Sequence, residues 1–247
     1  MTDMTVLLKF SGEALAGPEH KFPIDYVVLR TMCQEVVDAI IEAPANGKTL
    51  RVGIMPGGGN IMRGKVAKEH GIDPVAADHM GMMATVINAI AIQNIFEQIL
   101  KESGTRVLSA IEIRPVAELY IQRRAVRHLE KGRIVIFGAG SGNPFFTTDT
   151  AAALRAKEIG ASLLLKATDA DGIFDSDPRK NPQAKPLKHV TYERCVQEKL
   201  NVMDMTAFTL CEENEIPIRV FSMKEPGRIK RALLGEDVGS LVSKAAA

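Results

Sequence analysis

Three charged residues stand where they could act on a phosphoryl group. Lys9 sits near the end of the apolar run 6–10, and Lys166 directly follows Leu163-Leu164-Leu165. A lysine set in an apolar run is costly to bury without a partner. Each is therefore read as a charge carried to the exit of a strand, where parallel sheets usually bind ligands. Asp149 lies beyond a third apolar run, at the mouth of an alanine-rich helix. Two ammonium groups and one carboxylate suit a phosphoryl clamp: the lysines neutralise the migrating group and the carboxylate holds them in place.

Two glycine-rich loops accompany these charges. In 133–155, the β-branched run 134–137 passes through Gly138, Gly140, Gly142 and Asn143-Pro144, then reaches Thr147-Thr148-Asp149. A strand, a glycine turn and a helix start bring backbone N–H groups and a positive dipole end to one point, where an anion can sit. The second loop, Gly57-Gly58-Gly59-Asn60, follows another strand, with Arg63 in the next turn. Three successive glycines cost chain entropy and make sense where a ligand approaches the backbone closely.

Other patterns fail on inspection. Residues 59–65 match G-x-x-x-x-G-K, but Val66 replaces the Ser/Thr that would hold Mg²⁺ in a P-loop. Gly138, Gly140 and Gly142 lack the third spacing of the dinucleotide fingerprint. Asp171, Asp175 and Asp177 suit turns, because no glutamate completes a Ca²⁺ loop. The five histidines have no metal spacing, and no protein metal ligand is assigned. Asp78 opens a helix, where the dipole already favours a carboxylate. Asp204 interrupts an apolar patch and is equally suited to cap a helix. Arg123, Arg124, Arg127 and His128 read as a solvated or intersubunit helix face rather than a nucleic-acid site.

The elements needed to position these residues alternate steadily. Strands are expected at 6–10, 50–55, 106–111, 134–137, 163–165, 218–221 and 240–242. Helices are expected after Asp25, from Asp73-Pro74 to about 101, at 116–130, from Thr147 to about 159, after Thr191, and at 203–214 and 227–234. This pattern predicts an α/β fold with a mostly parallel sheet covered on both faces. It is read as one continuous domain, 1–247, with lobes at about 1–160 and 161–247. An apolar content of 46% provides a core, and a net charge of +1 creates no overall field toward nucleic acid or anionic membrane. No apolar run is read as approaching the ~20 residues of a membrane span. The start lacks a signal-peptide pattern, and three unpaired cysteines suit a reducing compartment, so the expected location is cytoplasmic.

Taken in order, L-L-K-F-S-G-E-A-L at 7–15, G-G-G-N-I-M-R-G at 57–64, D-H-M-G-M-M-A-T-V-I-N-A at 78–89 and R-R-A-V-R-H-L-E-K-G-R at 123–133 form a recognisable series. G-S-G-N-P-F-F-T-T-D-T-A-A at 140–152, L-K-A-T-D-A-D-G-I-F-D-S-D-P at 165–178 and V-M-D at 202–204 complete it. The series resembles the bacterial UMP kinases of the amino-acid kinase superfamily. That resemblance implies a three-layer α/β/α sandwich, a homohexamer, and transfer of the ATP γ-phosphate to UMP with Mg²⁺. It puts Lys9, Ser11, Gly12, Gly59, Arg63, Thr168, Phe174 and Asp177 on the ATP side. Gly58, Asp78, Ser141, Gly142, Asn143, Pro144, Phe145, Phe146, Thr147 and Thr148 fall on the UMP side. Lys9 and Lys166 serve transfer, and Asp149 and Asp204 match acidic positions linked to catalysis. Arg106 and Arg133 match positions tied to GTP activation, with UTP as the inhibitor. Ser141 stands where threonine is usual and keeps the hydroxyl; Phe174 stands where tyrosine is frequent and loses it. A relative acting on a carboxylate or carbamate, and a nucleotide-binding storage or regulatory relative without turnover, are the alternatives.

Overall fold

Parallel strands buried on both faces read as unbroken apolar runs, and the longest runs here form the centre of one sheet. The computed structural model describes residues 2–17, 19, 21–101, 104–176, 181, 183–198, 200 and 203–244. In chain order the elements begin β1 (Thr2–Phe10), α1 (Gly12–Leu15), α2 (Tyr26–Glu42), β2 (Lys48–Pro56), α3 (Gly64–Glu69) and α4 (Pro74–Leu100). They continue with β3 (Thr105–Ser109), β4 (Glu118–Leu119), α5 (Gln122–Glu130), β5 (Ile134–Gly138), α6 (Thr148–Glu158) and β6 (Leu163–Thr168). The remainder are β7 (Ile173–Phe174), β8 (Pro186–Leu187), β9 (His189–Thr191), α7 (Tyr192–Gln197), α8 (Met205–Glu213), β10 (Ile218–Ser222), α9 (Arg228–Leu234) and β11 (Ser240–Ser243).

The main sheet has the order β4-β3-β5-β2-β1-β6-β10-β11-β9, and its pairs are parallel except β10 with β11. Side chains alternate across it. Val6, Leu8, Phe10, Leu165 and Ala167 pack with Leu29 and Met32 of α2, Ala89 and Ile92 of α4, and Ile229 of α9. Leu7, Leu164 and Val220 pack on the other face with α5, α6, α7 and α8 through Leu129, Ala152, Tyr192 and Phe208. This gives the expected helix–sheet–helix sandwich.

Three local departures have physical reasons. The helix expected at 116–130 begins at Gln122, because Glu118–Leu119 pairs with the end of β3 as an edge strand. The expected helix at 203–214 begins at Met205, where Asp204 accepts from the Ala207 amide as its N-cap. The turn-rich region after β6 contains β7 and β8 as an antiparallel pair, and β9 adds to the sheet edge. The expected absence of span-length apolar runs also needs correction. α4 has 27 residues at a hydropathy of 1.4, long and apolar enough by those measures to cross a membrane. In this fold it packs on the sheet through Ala89, Ile92 and Phe96.

One carboxylate joins the far ends of the chain. Glu35 of α2 accepts from the backbone amides of Gly227, Ile229 and Lys230, so it caps α9 from across the fold. Glu35→Ala should lower the melting temperature by about 2–8 °C, the shift corresponding to ~1–2 kcal/mol at this chain length. A calorimetric scan of the two proteins checks this.

Candidate functional site

β1 and β6 are adjacent and parallel, with Lys9 paired directly to Lys166. Both side chains therefore leave the same face of the sheet, toward the start of α6. Lys9 Nζ lies 2.9 Å from Asp149 Oδ1, and Lys166 Nζ donates to Asp149 Oδ2 at 2.5 Å. The three side chains are only 10%, 12% and 15% exposed for Lys9, Lys166 and Asp149. The Lys9 contact lies outside hydrogen-bond alignment and leaves Oδ1 without an aligned donor. Lys9 is thus held to Asp149 by charge.

Burial alone would raise the Asp149 pKa, but the nearby charges of Lys9 and Lys166 outweigh it and hold the carboxyl below its usual value. Burial pulls Lys166 below the usual lysine value; Asp149 opposes that shift and Lys9 adds to it. A lowered Asp149 pKa contributes stability that is present above pH 3.8 and is lost as pH falls below it. For Lys166 the unfolded chain binds more protons just below pH 10.5, so its contribution rises with pH there.

The N-terminus of α6 is fixed from two sides. Thr147 caps it, accepting from the amides of Asp149 and Thr150. Thr147 Oγ1 also donates to Asp204 Oδ2, and Thr150 Oγ1 donates to Asp204 Oδ1 at 2.7 Å. Asp204 therefore both caps α8 and holds the start of α6. The two loops meet tightly as well. A Cβ on Gly12 would come within 2.6 Å of the Gly59 amide, and one on Gly57 within 2.8 Å of the Gly12 amide. Neither position admits a side chain, so the exits of β1 and β2 touch backbone to backbone.

Gly58, Asp78, Ser141, Asn143, Phe146, Thr147 and Thr148, expected on the UMP side, line one cleft together with Gly59, Gly81 and Thr85. Asp78 Oδ2 accepts from the Phe145 amide at 2.8 Å and holds that residue at φ 70°. Gly142 packs against Ala110, and Pro144 lies between these groups in the same loop. Gly59 stands between this cleft and a second hollow lined by Glu13, Lys21, Asn60 and Arg63. There Arg63 pairs with Glu13 at 3.2 Å. Ser11 donates its amide to Ala167, Thr168 accepts from the Met223 amide, and Phe174 lies on β7. Asp177 lies outside the described residues.

Arg106 and Arg133 are drawn into one cluster at the sheet edge. Arg106 and Arg124 each lie 3.6 Å from Glu118; His128 lies 3.3 Å from Glu118 and 3.0 Å from Arg133. Glu118 was not singled out in the sequence. Its place among basic groups depends on the edge strand, which the helical reading of 116–130 concealed. Among the described residues no three His, Cys, Asp or Glu side chains gather in a metal-binding group.

The amino acid kinase family matches the chain over residues 4–222. A uridylate kinase from Methylococcus capsulatus is 49% identical over 237 residues, covering 96% of this chain and 95% of that one. A chloroplastic uridylate kinase from Arabidopsis thaliana is 53% identical over 238 residues, covering 96% of this chain and 68% of its own length. The crystal structure of UMP kinase from Bacillus anthracis aligns with a TM-score of 0.90 at 38% identity, covering 98% of this chain and 96% of that one.

Asp149→Asn would leave two buried ammonium groups facing each other. It should lower stability near neutral pH by ~3 kcal/mol, the scale of breaking a buried ion pair. The deficit should narrow as pH rises and Lys166 loses its proton. Denaturant unfolding of both proteins at several pH values measures it.

Proposed function

The chain belongs to the amino acid kinase family, among its uridylate kinases, and we propose that its Lys9–Asp149–Lys166 trio transfers the γ-phosphate of ATP to UMP. It is a nucleoside monophosphate kinase, with ATP and UMP as substrates and ADP and UDP as products. The observation that carries the assignment of the trio is the grip of one carboxylate on two ammonium groups from paired strand exits.

The obstacle to this reaction is the approach of two anions. A phosphate monoester carries its second charge above a pKa of about 6, so the acceptor needs no strong general base at neutral pH. Lys9 and Lys166 supply the positive charge that the migrating group requires, and Asp149 fixes their positions. Lys9 stays paired with Asp149 and has further N–H donors to offer a phosphate oxygen. Asp204 acts through Thr147 and Thr150 by keeping α6, and with it Asp149, in place.

In this reading Ser11, Gly12, Gly59, Arg63, Thr168, Phe174 and Asp177 serve ATP. Gly58, Asp78 and Ser141, Gly142, Asn143, Pro144, Phe145, Phe146, Thr147 and Thr148 serve UMP. The lobes at about 1–160 and 161–247 are the acceptor and ATP sides. Mg²⁺ is proposed to arrive with ATP, carried mainly by its phosphates. When bound, that ion neutralises phosphate oxygens. Met80, Met83, Ile87 and Ile90 are exposed along α4, and burying that row between subunits supports a homohexamer. Arg106 and Arg133, with Arg124 and His128 around Glu118, form the proposed site for GTP, with UTP as an inhibitor. A cytoplasmic location completes the reading.

ADP release should follow mixing with ATP-Mg²⁺ and UMP, and should be much slower with CMP, dTMP, glutamate or carbamate; no turnover with UMP would sink the assignment. The pH profile of kcat/KM should rise through about 6 as UMP gains its second charge. It should fall on the alkaline side with a midpoint below 10.5, because Lys166 is depressed. Lys166→Arg should move that alkaline limb upward, since a guanidinium keeps its proton.

A further inference from the structure

α4 carries two fully buried polar side chains one turn apart, Thr85 and Asn88, at 1% and 0% exposure. Residues three apart share a helix face. Each reaches a different glycine loop. Thr85 Oγ1 accepts from the Ala139 amide at 2.8 Å, while donating to Met82 at 2.7 Å. Asn88 Nδ2 donates to the Gly57 carbonyl at 2.7 Å, and Asn88 and Asn60 exchange amide hydrogen bonds at 2.8 and 3.0 Å.

Ala139 stands at φ 61°, a left-handed conformation unfavourable for an alanine that persists only where its surroundings impose it. Those surroundings are the Thr85 hydroxyl and the side chains of Met82 and Val86. The Gly57 peptide is likewise pinned at both ends: its amide donates to Phe10, next to Lys9, and its carbonyl accepts from Asn88. A Cβ on Gly58 would meet Gly81 and Ala84 of α4 within 3.0 Å, so this loop lies directly against the helix.

We propose that Thr85 and Asn88 are positioning residues: one helix face sets the spacing between the loop that cradles UMP and the loop shared with ATP. This inference rests on the kinase reading above. Thr85 serves the acceptor loop at Ala139, whereas Asn88 acts on Gly57 and so on both nucleotides and Lys9. The two should therefore fail differently.

The experiment is steady-state kinetics on full-length Thr85→Val, Thr85→Ser and Asn88→Leu, with melting temperatures in parallel. Thr85→Val keeps the shape and removes the hydroxyl. It should raise the KM for UMP roughly tenfold and leave the KM for ATP within about twofold, and Thr85→Ser should restore the wild-type values. Asn88→Leu should raise both KM values and lower kcat. If it does not fold, the Thr85 pair still decides. Unchanged KM values in Thr85→Val, equal shifts for both substrates, or no rescue by Thr85→Ser would overturn the proposal. An inactive wild-type enzyme would instead sink the kinase reading, so the two failures are distinguishable.

Discussion

Two ammonium groups on adjacent strands are an unfavourable arrangement that the rest of the site exists to hold. Neighbouring strands run about 4.8 Å apart. Two positive charges at that spacing repel by ~3–4 kcal/mol at an effective dielectric of 20. The register of β1 with β6 imposes the pairing of Lys9 with Lys166, and neither lysine can withdraw far from a strand packed on both faces. Asp149 makes the arrangement tolerable by giving one carboxylate oxygen to each. Positive charge is thereby held ready at a point already withdrawn from most water. In the proposed reaction, an arriving phosphoryl group would replace part of what Asp149 supplies.

The constraint then passes outward. Asp149 can serve both lysines only while the first turn of α6 keeps its place. That turn is fixed by the Thr147 cap and by Asp204 from another helix. The glycine loops obey the same requirement from the other side. Gly12 and Gly57 approach too closely for any side chain, so the exits of β1 and β2 are packed backbone to backbone close to Lys9.

Much of this was legible because charge in an apolar run breaks the expected pattern. Lys9 and Lys166 stood out on those grounds and Asp149 by its place at a helix mouth after a glycine loop, and the structure brings all three together. The cap role of Asp204 was also open from its position, but its bonds to α6 span 54 and 57 residues and leave no local signal. Thr85 and Asn88 were invisible for the same reason. They sit in a helix of apolar composition, and their partners are 54 and 31 residues away. The β4 edge strand was missed because two residues at a sheet edge carry too little pattern to interrupt a helical one. Local chemistry marks where an anion sits; contacts distant in sequence decide how the walls around it are held.

The same division explains why the residues alone pointed to a phosphate and not to a base. A phosphate is met by backbone amides, a helix end and lysines, and glycines advertise the first of these in the sequence. The cleft wall along α4 carries Ala77, Asp78, Gly81, Met82 and Thr85, of which Ala77, Gly81 and Thr85 lie four residues apart and therefore on one face. On that face the groups are small, and the Thr85 hydroxyl is already engaged by the Ala139 amide. Uridine therefore entered through kinship over the whole chain, while the charges and the loops carry the phosphate chemistry proposed for the site.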